Sequence, residues 1–282
     1  MFHSLRRPEV LLPTLAAAGI LMITMGIRQS FGLFVSPISQ STGLGIASIS
    51  LALAIGQFTW GAIQPIAGAV ADRFGPGPVL VAGILILGLG CALTPFAENT
   101  FVLAVTLGVL ASMGSGAGSF SVLIGAAAQR LPFESRGAAS GFINAGGSFG
   151  QFVFAPILQK LIQAFGWMGA LWTMAVVSLA ALPMIASLTG AKRQAQPAAA
   201  EHGGMGRTVL SAMGDRSYLL LHAGFFTCGF HIAFLVTHLP GEVNLCGLPP
   251  TVASWSLAII GLANIFGSLA GVWWVGRYRS KH

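Results

Sequence analysis

The chain has 282 residues, of which 55% are hydrophobic and only 7% are charged, and its formal net charge is +7. A soluble globular domain carries roughly 25% charged residues, so this chain has too few to cover a water-facing surface. The composition therefore excludes a soluble protein and predicts an integral membrane protein.

Two further classes of protein are disfavoured by where particular residues fall. The 14 basic residues are dispersed along the chain rather than gathered in one patch, which argues against a nucleic-acid partner. The cysteines at positions 91, 228 and 246 are too few and too scattered for a disulfide scaffold or a zinc site, so no metal is expected.

Eight apolar segments are long enough to cross a bilayer, which takes about 20 helical residues, and they predict an all-α membrane bundle. They lie near residues 10–35, 48–71, 78–97, 101–128, 137–160, 167–188, 217–239 and 251–275. Arg6 and Arg7 before the first segment allow a signal peptide as an alternative. That apolar run continues to Ile27, beyond the roughly 7–15 residues of a signal core, so an uncleaved first span is the preferred interpretation.

The basic residues fall almost entirely on one side of these predicted spans. Twelve of the 14 lie on the side of the N-terminus, Lys160 lies on the other side, and Arg28 lies within the first span. The twelve are Arg6, Arg7, Arg73, Arg130, Arg136, Lys192, Arg193, Arg207, Arg216, Arg277, Arg279 and Lys281. Because cytoplasmic loops carry an excess of Lys and Arg, this asymmetry predicts a cytoplasmic N-terminus in an inner (plasma) membrane.

The longest predicted loop, residues 189–216, is polar, rich in Ala and Gly, and basic, and it is interpreted as a flexible cytoplasmic linker. After it the pattern restarts. Gly26-Ile27-Arg28 resembles Gly229-Phe230-His231, and Ile55-Gly56 resembles Ile260-Gly261, at nearly constant spacing. The seventh and eighth spans are therefore predicted to repeat the first two.

Polar residues inside the spans are the candidate solute contacts. Arginine within a span is costly and normally faces a cavity or a partner, and its fork geometry suits a carboxylate. Arg28 is thus a candidate anion-binding residue, with snorkelling to the outer interface as the alternative. The remaining candidates are Gln57, at a similar depth, His231, at the repeat position of Arg28, Asn144 in the fifth span and Asn264 in the eighth.

Gly68, Asp72, Arg73 and Gly75 form the pattern G-x-x-x-D-R-x-G between the second and third predicted spans. This pattern resembles the signature of the major facilitator superfamily of secondary transporters. The resemblance implies two six-helix halves with a solute bound between them. The chain would then comprise a six-helix half at 1–188, a linker at 189–216, and the first two helices of a second half at 217–282. A complete second half would need four more helices, so we expect a truncated or fragmentary sequence.

The resemblance also implies roles for individual residues. It makes Gly68, Asp72, Arg73 and Gly75 gating residues at the cytoplasmic rim, with Arg130 and Arg136 as candidate partners. The segment from Arg28 to Phe34 is similar to the first helix of the monocarboxylate and oxalate/formate branches, which place a basic residue there. Those carriers also use charged residues in the eighth helix, and none lies between Thr251 and Val275 here.

The preferred function is therefore secondary transport of a small organic anion by alternating access, with the lipid bilayer and the solute as partners. Multidrug or metabolite efflux on the same scaffold is the alternative, and so is a non-transporting remnant or sensor. No phosphate-binding loop or nucleophile–base pair appears, so an enzyme is not expected. No cofactor is expected either, while coupling to a proton or to an anion stays open.

Overall fold

The computed structural model describes residues 8–189 and 211–277, and nearly all of these residues are helical. Within them, seven helical stretches are long and apolar enough to cross a bilayer. The predicted linker lies mostly outside the described residues, as do Arg6, Arg7, Lys192, Arg193, Arg207, Arg279 and Lys281.

Six of the eight predicted spans are separate helical stretches. The first comprises Pro8–Gln29, a 3₁₀ turn at Phe31–Phe34 and Val35–Thr42, the second is Ile46–Phe74, and the third is Pro76–Leu93 with a 3₁₀ turn at Thr94–Phe96. The fourth comprises Thr100–Leu103, a π-helical segment at Ala104–Ala111, Ser112–Ala117 and Phe120–Ala128. The seventh is Arg216–Leu245 and the eighth is Pro250–Arg277.

The fifth and sixth spans form one helical stretch of 53 residues, Phe133–Ile185, which is broken at Gly166. Gly166 has φ 71° and ψ 172°, a conformation that is not helical and that favours glycine. Arg130, just before the stretch, donates hydrogen bonds to the carbonyl oxygens of Ser187 and Thr189, just after it. The stretch therefore leaves one end of the bundle and returns to it, which makes two antiparallel spans and the predicted total of eight.

Close backbone approaches at glycine hold the spans together. A Cβ built at Gly150 in the fifth span would lie 2.1 Å from the carbonyl oxygen of Met22 in the first span. A Cβ at Gly261 in the eighth span would lie 2.8 Å from the carbonyl oxygen of Ser148. Small residues allow such contacts between backbones. Close packing of this kind holds membrane helices together, because the hydrophobic effect does not favour helix–helix contact over helix–lipid contact. Gly267 and Gly271, four residues apart in the eighth span, have no described atom within 4 Å at either Cβ position, so they make no such contact here.

The fourth span is irregular in two places. Residues Ala104–Ala111 are π-helical, and the helix is interrupted between Ala117 and Phe120. The carbonyl oxygen of Gly118, at this interruption, accepts a hydrogen bond of 3.1 Å from Thr24 in the first span. A backbone group released inside the membrane needs such a partner, because no water is available to it there.

Candidate functional site

Arg28 is held by two side chains of the second span. Its Nη2 donates a hydrogen bond to Oε1 of Gln57, and its Cζ lies 3.9 Å from the centre of the Trp60 ring. Gln57 and Trp60 are three residues apart, so they share one face of their helix. Stacking on an aromatic face and bonding to an amide both favour a cation at membrane depth. Arg28 is half-buried, and its guanidinium contacts the second span instead of extending along its own helix toward the interface.

A pocket opens beside this guanidinium, where the first, second, fourth and seventh spans meet. Its cavity volume is about 20 Å³, within about 290 Å³ of space that is partly open to the surroundings. We call it the Arg28 pocket, and it is lined by Arg28, Phe31, Gly32, Leu53, Gly56, Gln57, Ser112, Val236 and Thr237. Among the described residues of this lining, Arg28 carries the one formal charge, so the pocket is electropositive and suits an anion.

The chain reaches this geometry through local features of three spans. The first span changes from α-helix to a 3₁₀ turn at Phe31–Phe34, just after Arg28. That turn lies so close to the seventh span that a Cβ at Gly32 would be 2.1 Å from the carbonyl oxygen of Val236. On the other side, a Cβ at Gly56 would be 2.6 Å from Oγ of Ser112. Two glycines therefore set the width of the pocket.

The other predicted solute contacts lie outside this lining. His231 is exposed, and the seventh span instead contributes Val236 and Thr237 to the pocket. Asn144 donates a hydrogen bond of 2.8 Å to Oγ of Ser268, which joins the fifth span to the eighth. Asn264 is exposed. The structure thus brings together Arg28 and Gln57 among the predicted contacts, and it does not bring the other three to them.

The predicted gating residues mostly gather at the predicted cytoplasmic end. Asp72, Arg73, Gly75 and Arg130 line a second cavity there, between the loop after the second span and the ends of the fourth and sixth spans. Arg136 lies outside it, with its Nε donating to the carbonyl oxygen of Leu131 at 3.2 Å. Gly68 is also outside this lining, and a Cβ there would meet no atom within 4 Å.

Two polar pocket residues were not singled out from the sequence. Ser112 and Thr237 are hydroxyl residues in apolar helices, and such residues are common throughout membrane bundles. The hydroxyl of Ser112 donates to the carbonyl oxygen of Leu107, five residues earlier, at 3.2 Å. The π-helical segment before Ser112 is a backbone feature with no side-chain signature, although such segments are frequent at functional sites.

Comparisons with known proteins agree with this architecture. A solved D-xylose-proton symporter superposes with a TM-score of 0.67 at 16% identity, covering 95% of this chain and 70% of the symporter, which shows a shared fold. Bovine monocarboxylate transporter 13 is 27% identical over 263 residues, covering 89% of this chain and 58% of its own length. The oxalate:formate antiporter of Oxalobacter formigenes is 25% identical over 275 residues, covering 93% and 63% respectively.

Mouse monocarboxylate transporter 11 is 31% identical over 268 residues, covering 92% of this chain and 57% of its own length. The chain thus spans less than two thirds of the length of these curated relatives. Residues 17–282 match the sequence profile of the Major Facilitator Superfamily, which is nearly the whole chain. The chain therefore belongs to the Major Facilitator Superfamily, a family of multi-pass membrane transporters rather than enzymes.

Proposed function

We propose that the chain serves secondary transport of a small organic anion by alternating access, with the Arg28 pocket as the solute site. The observation that carries the proposal is the placement of Arg28. It lies at membrane depth, lines a pocket where four spans meet, and has no acidic residue beside it among the lining residues that the structure describes. A charge in this position is costly unless it has a partner, and an anionic solute supplies one.

The guanidinium retains donors for such a solute. Arginine has five N–H donors, and within the described chain Arg28 uses one nitrogen, Nη2, for its hydrogen bond to Gln57. Guanidinium and carboxylate groups match in shape and commonly form two parallel hydrogen bonds. Relatives named monocarboxylate transporters and oxalate:formate antiporter act on small carboxylates by name, which agrees with this chemistry.

The size of the pocket disfavours the drug-like molecules of the efflux alternative. Sites for drug-sized ligands measure roughly 300–1,000 Å³, whereas the cavity beside Arg28 has a volume of about 20 Å³, room for about one water molecule. Gly32 and Gly56 allow the spans to close in on either side of it. We infer that this conformation is closed around Arg28 and that a solute reaches the guanidinium once the spans separate.

The rest of the proposal concerns topology. The distribution of basic residues supports an inner-membrane protein with its N-terminus in the cytoplasm. We further propose a six-span unit at 1–188, a linker at 189–216 and a second unit beginning at 217. His231, Asn144 and Asn264 stay predicted solute contacts, and Asp72, Arg73, Gly68, Gly75, Arg130 and Arg136 stay predicted gating residues. Proton or anion coupling is open in this proposal.

The direct test is equilibrium binding of radiolabelled oxalate and lactate to the chain in lipid nanodiscs. Loss of a charge-assisted hydrogen bond costs about 1.5–3 kcal/mol, so Arg28→Gln is expected to weaken binding roughly 10- to 150-fold. Gln57→Leu is expected to weaken it about fivefold, since the hydrogen bond that positions Arg28 is lost while the guanidinium remains. Gln64→Leu, two helical turns away, is the matched control because Gln64 bonds to Ser121 outside the pocket.

Each alternative function has its own result in this assay. Unchanged affinity of Arg28→Gln for both carboxylates would refute the anion site. Binding of apolar cations that survives Arg28→Gln would favour efflux of larger molecules. The same protein in proteoliposomes then separates transport from sensing, because a sensor binds carboxylate without moving it across the bilayer.

A further inference from the structure

The second cavity of the bundle lies at the predicted cytoplasmic end, and we call it the rim pocket. It has about 790 Å³ of empty space, part of it open to solvent, and it lies far along the second span from the Arg28 pocket. Its polar wall is made by Asp72, Arg73, Gln129, Arg130 and Thr189. The remainder is apolar or backbone, from Ala71, Phe74, Gly75, Pro76, Gly77, Pro78 and Leu188.

Arg130 is fixed in this wall by its own hydrogen bonds. Its Nη1 donates to the carbonyl oxygen of Ser187 at 2.6 Å, and its Nη2 donates to the carbonyl oxygen of Thr189. Its Nε is buried and has no hydrogen-bond partner in the described structure. A buried donor without a partner is costly, so this guanidinium is held in place with part of its bonding capacity unused.

The formal charges of the described lining residues sum to plus one. Arg73 and Arg130 contribute two positive charges and Asp72 contributes one negative charge, while Gln129 adds an uncharged amide. The 18-residue helix Pro76–Leu93 also begins in this wall, and its N-terminus carries a partial positive charge. A ligand with a single negative charge balances this lining, whereas a dianion exceeds it.

We propose that the rim pocket binds a phosphate group, with Arg73 and Arg130 as its cationic contacts. Guanidinium groups are well suited to phosphate oxygens, and basic pockets between membrane helices on the cytoplasmic side bind lipid headgroups. A phosphodiester, which carries one negative charge, matches the net charge of the wall. The apolar part of the lining accommodates a glycerol backbone, so an anionic phospholipid is the preferred source over a soluble phosphate.

Such a ligand joins two parts of the bundle at this end. It contacts the loop after the second span on one side and the ends of the fourth and sixth spans on the other. Binding therefore raises the thermal stability of the six-span unit. This effect does not depend on the Arg28 pocket, so the proposal stands or falls separately from the proposed transport function.

The test compares the chain in nanodiscs of phosphatidylcholine alone with nanodiscs that also contain phosphatidylglycerol. The unfolding temperature is measured, and lipids retained by the released protein are counted by native mass spectrometry. Phosphatidylglycerol is expected to raise the unfolding temperature and to be retained, and Arg73→Gln is expected to weaken this binding about tenfold. A third arm adds inorganic phosphate to the phosphatidylcholine nanodiscs.

Arg136→Gln is the matched control, because it removes the same charge from the same rim but lies outside the pocket. Loss of the phosphatidylglycerol effect in Arg73→Gln but not in Arg136→Gln supports a lipid headgroup site. The same pattern with inorganic phosphate alone supports a phosphate site with a soluble ligand. Equal losses in both variants indicate general attraction to a basic surface and overturn the proposal, as does the absence of any effect of either ligand.

Discussion

The contact between the first and seventh spans beside the Arg28 pocket depends on one glycine. A Cβ built at Gly32 would lie 2.1 Å from the carbonyl oxygen of Val236 and 3.2 Å from that of Thr237. Both are backbone atoms of a helix, so they cannot rotate out of the way as a side-chain end could. Gly32→Ala therefore forces the two spans apart at the predicted outer end of the pocket.

The size of the effect follows from the overlap. An ordinary carbon–oxygen contact is on the order of 3.3 Å, so the backbone must move by roughly 1 Å to admit the methyl group. Overpacking of this kind costs about 1–3 kcal/mol. If the closed arrangement bears this cost and the open one does not, the ratio of open to closed protein rises about 5- to 150-fold.

The open state can be detected by labelling a thiol placed at Thr237, a half-buried residue of the pocket wall. Thr237→Cys is introduced into a chain whose exposed Cys228 and Cys246 are replaced by serine, and the rate of maleimide labelling is measured in detergent. Adding Gly32→Ala is expected to increase that rate by the factor above. Gly229→Ala serves as the control, since a Cβ there meets no atom within 4 Å.

An unchanged labelling rate in folded Gly32→Ala protein would show that the closed contact is not the populated state, and the reasoning from backbone overlap would fail. An equal increase in Gly229→Ala would point instead to general loosening of the seventh span. Thermal unfolding of each variant, measured in parallel, separates opening at this contact from partial unfolding of the bundle.

Three further predictions concern packing and topology. Gly150→Ala is expected to lower the free energy of unfolding, measured by SDS titration, by roughly 1–3 kcal/mol, whereas Gly125→Ala, with open space at its Cβ, changes it little. A double-mutant cycle on Asn144 and Ser268 is expected to give a coupling energy of about 0.6 kcal/mol, and a value of zero would contradict their hydrogen bond. In a variant that keeps Cys246 as its single cysteine, an impermeant maleimide is expected to label intact cells. Labelling that requires permeabilised cells would reverse the proposed orientation.

The fold was predictable because its main determinants are visible along the sequence. Spans of about 20 apolar residues separated by charged loops specify helices and their number directly. The fifth and sixth spans were also predicted as two helices, although their helical hydrogen bonding forms one continuous stretch. The chain turns at Gly166, and Arg130 bonds to Ser187 and Thr189 at the same end, so the apolar segments predicted near 137–160 and 167–188 are two antiparallel spans.

The irregular fourth span could not be predicted in the same way. Residues Ala104–Ala111 have the composition of an ordinary membrane helix, and the choice between α- and π-helical hydrogen bonding depends on packing against neighbours. That packing is tight, since a Cβ at Gly108 would lie 2.7 Å from the carbonyl oxygen of Ala52. The position of Ser112 in the pocket wall follows from this backbone register, which is a tertiary property.

The positions of two predicted solute contacts show which sequence argument locates a residue beside Arg28. The prediction of Gln57 rests on its depth, which is similar to that of Arg28, and depth along a helix is fixed by counting residues at 1.5 Å each. The prediction of His231 rests on its place in an internal repeat, and the seventh span meets the pocket five and six residues later, at Val236 and Thr237. Five residues correspond to about 7.5 Å along the helix, which exceeds the reach of an imidazole ring. A repeat preserves the order of elements, but the level at which two helices approach is set by where a glycine such as Gly32 permits contact.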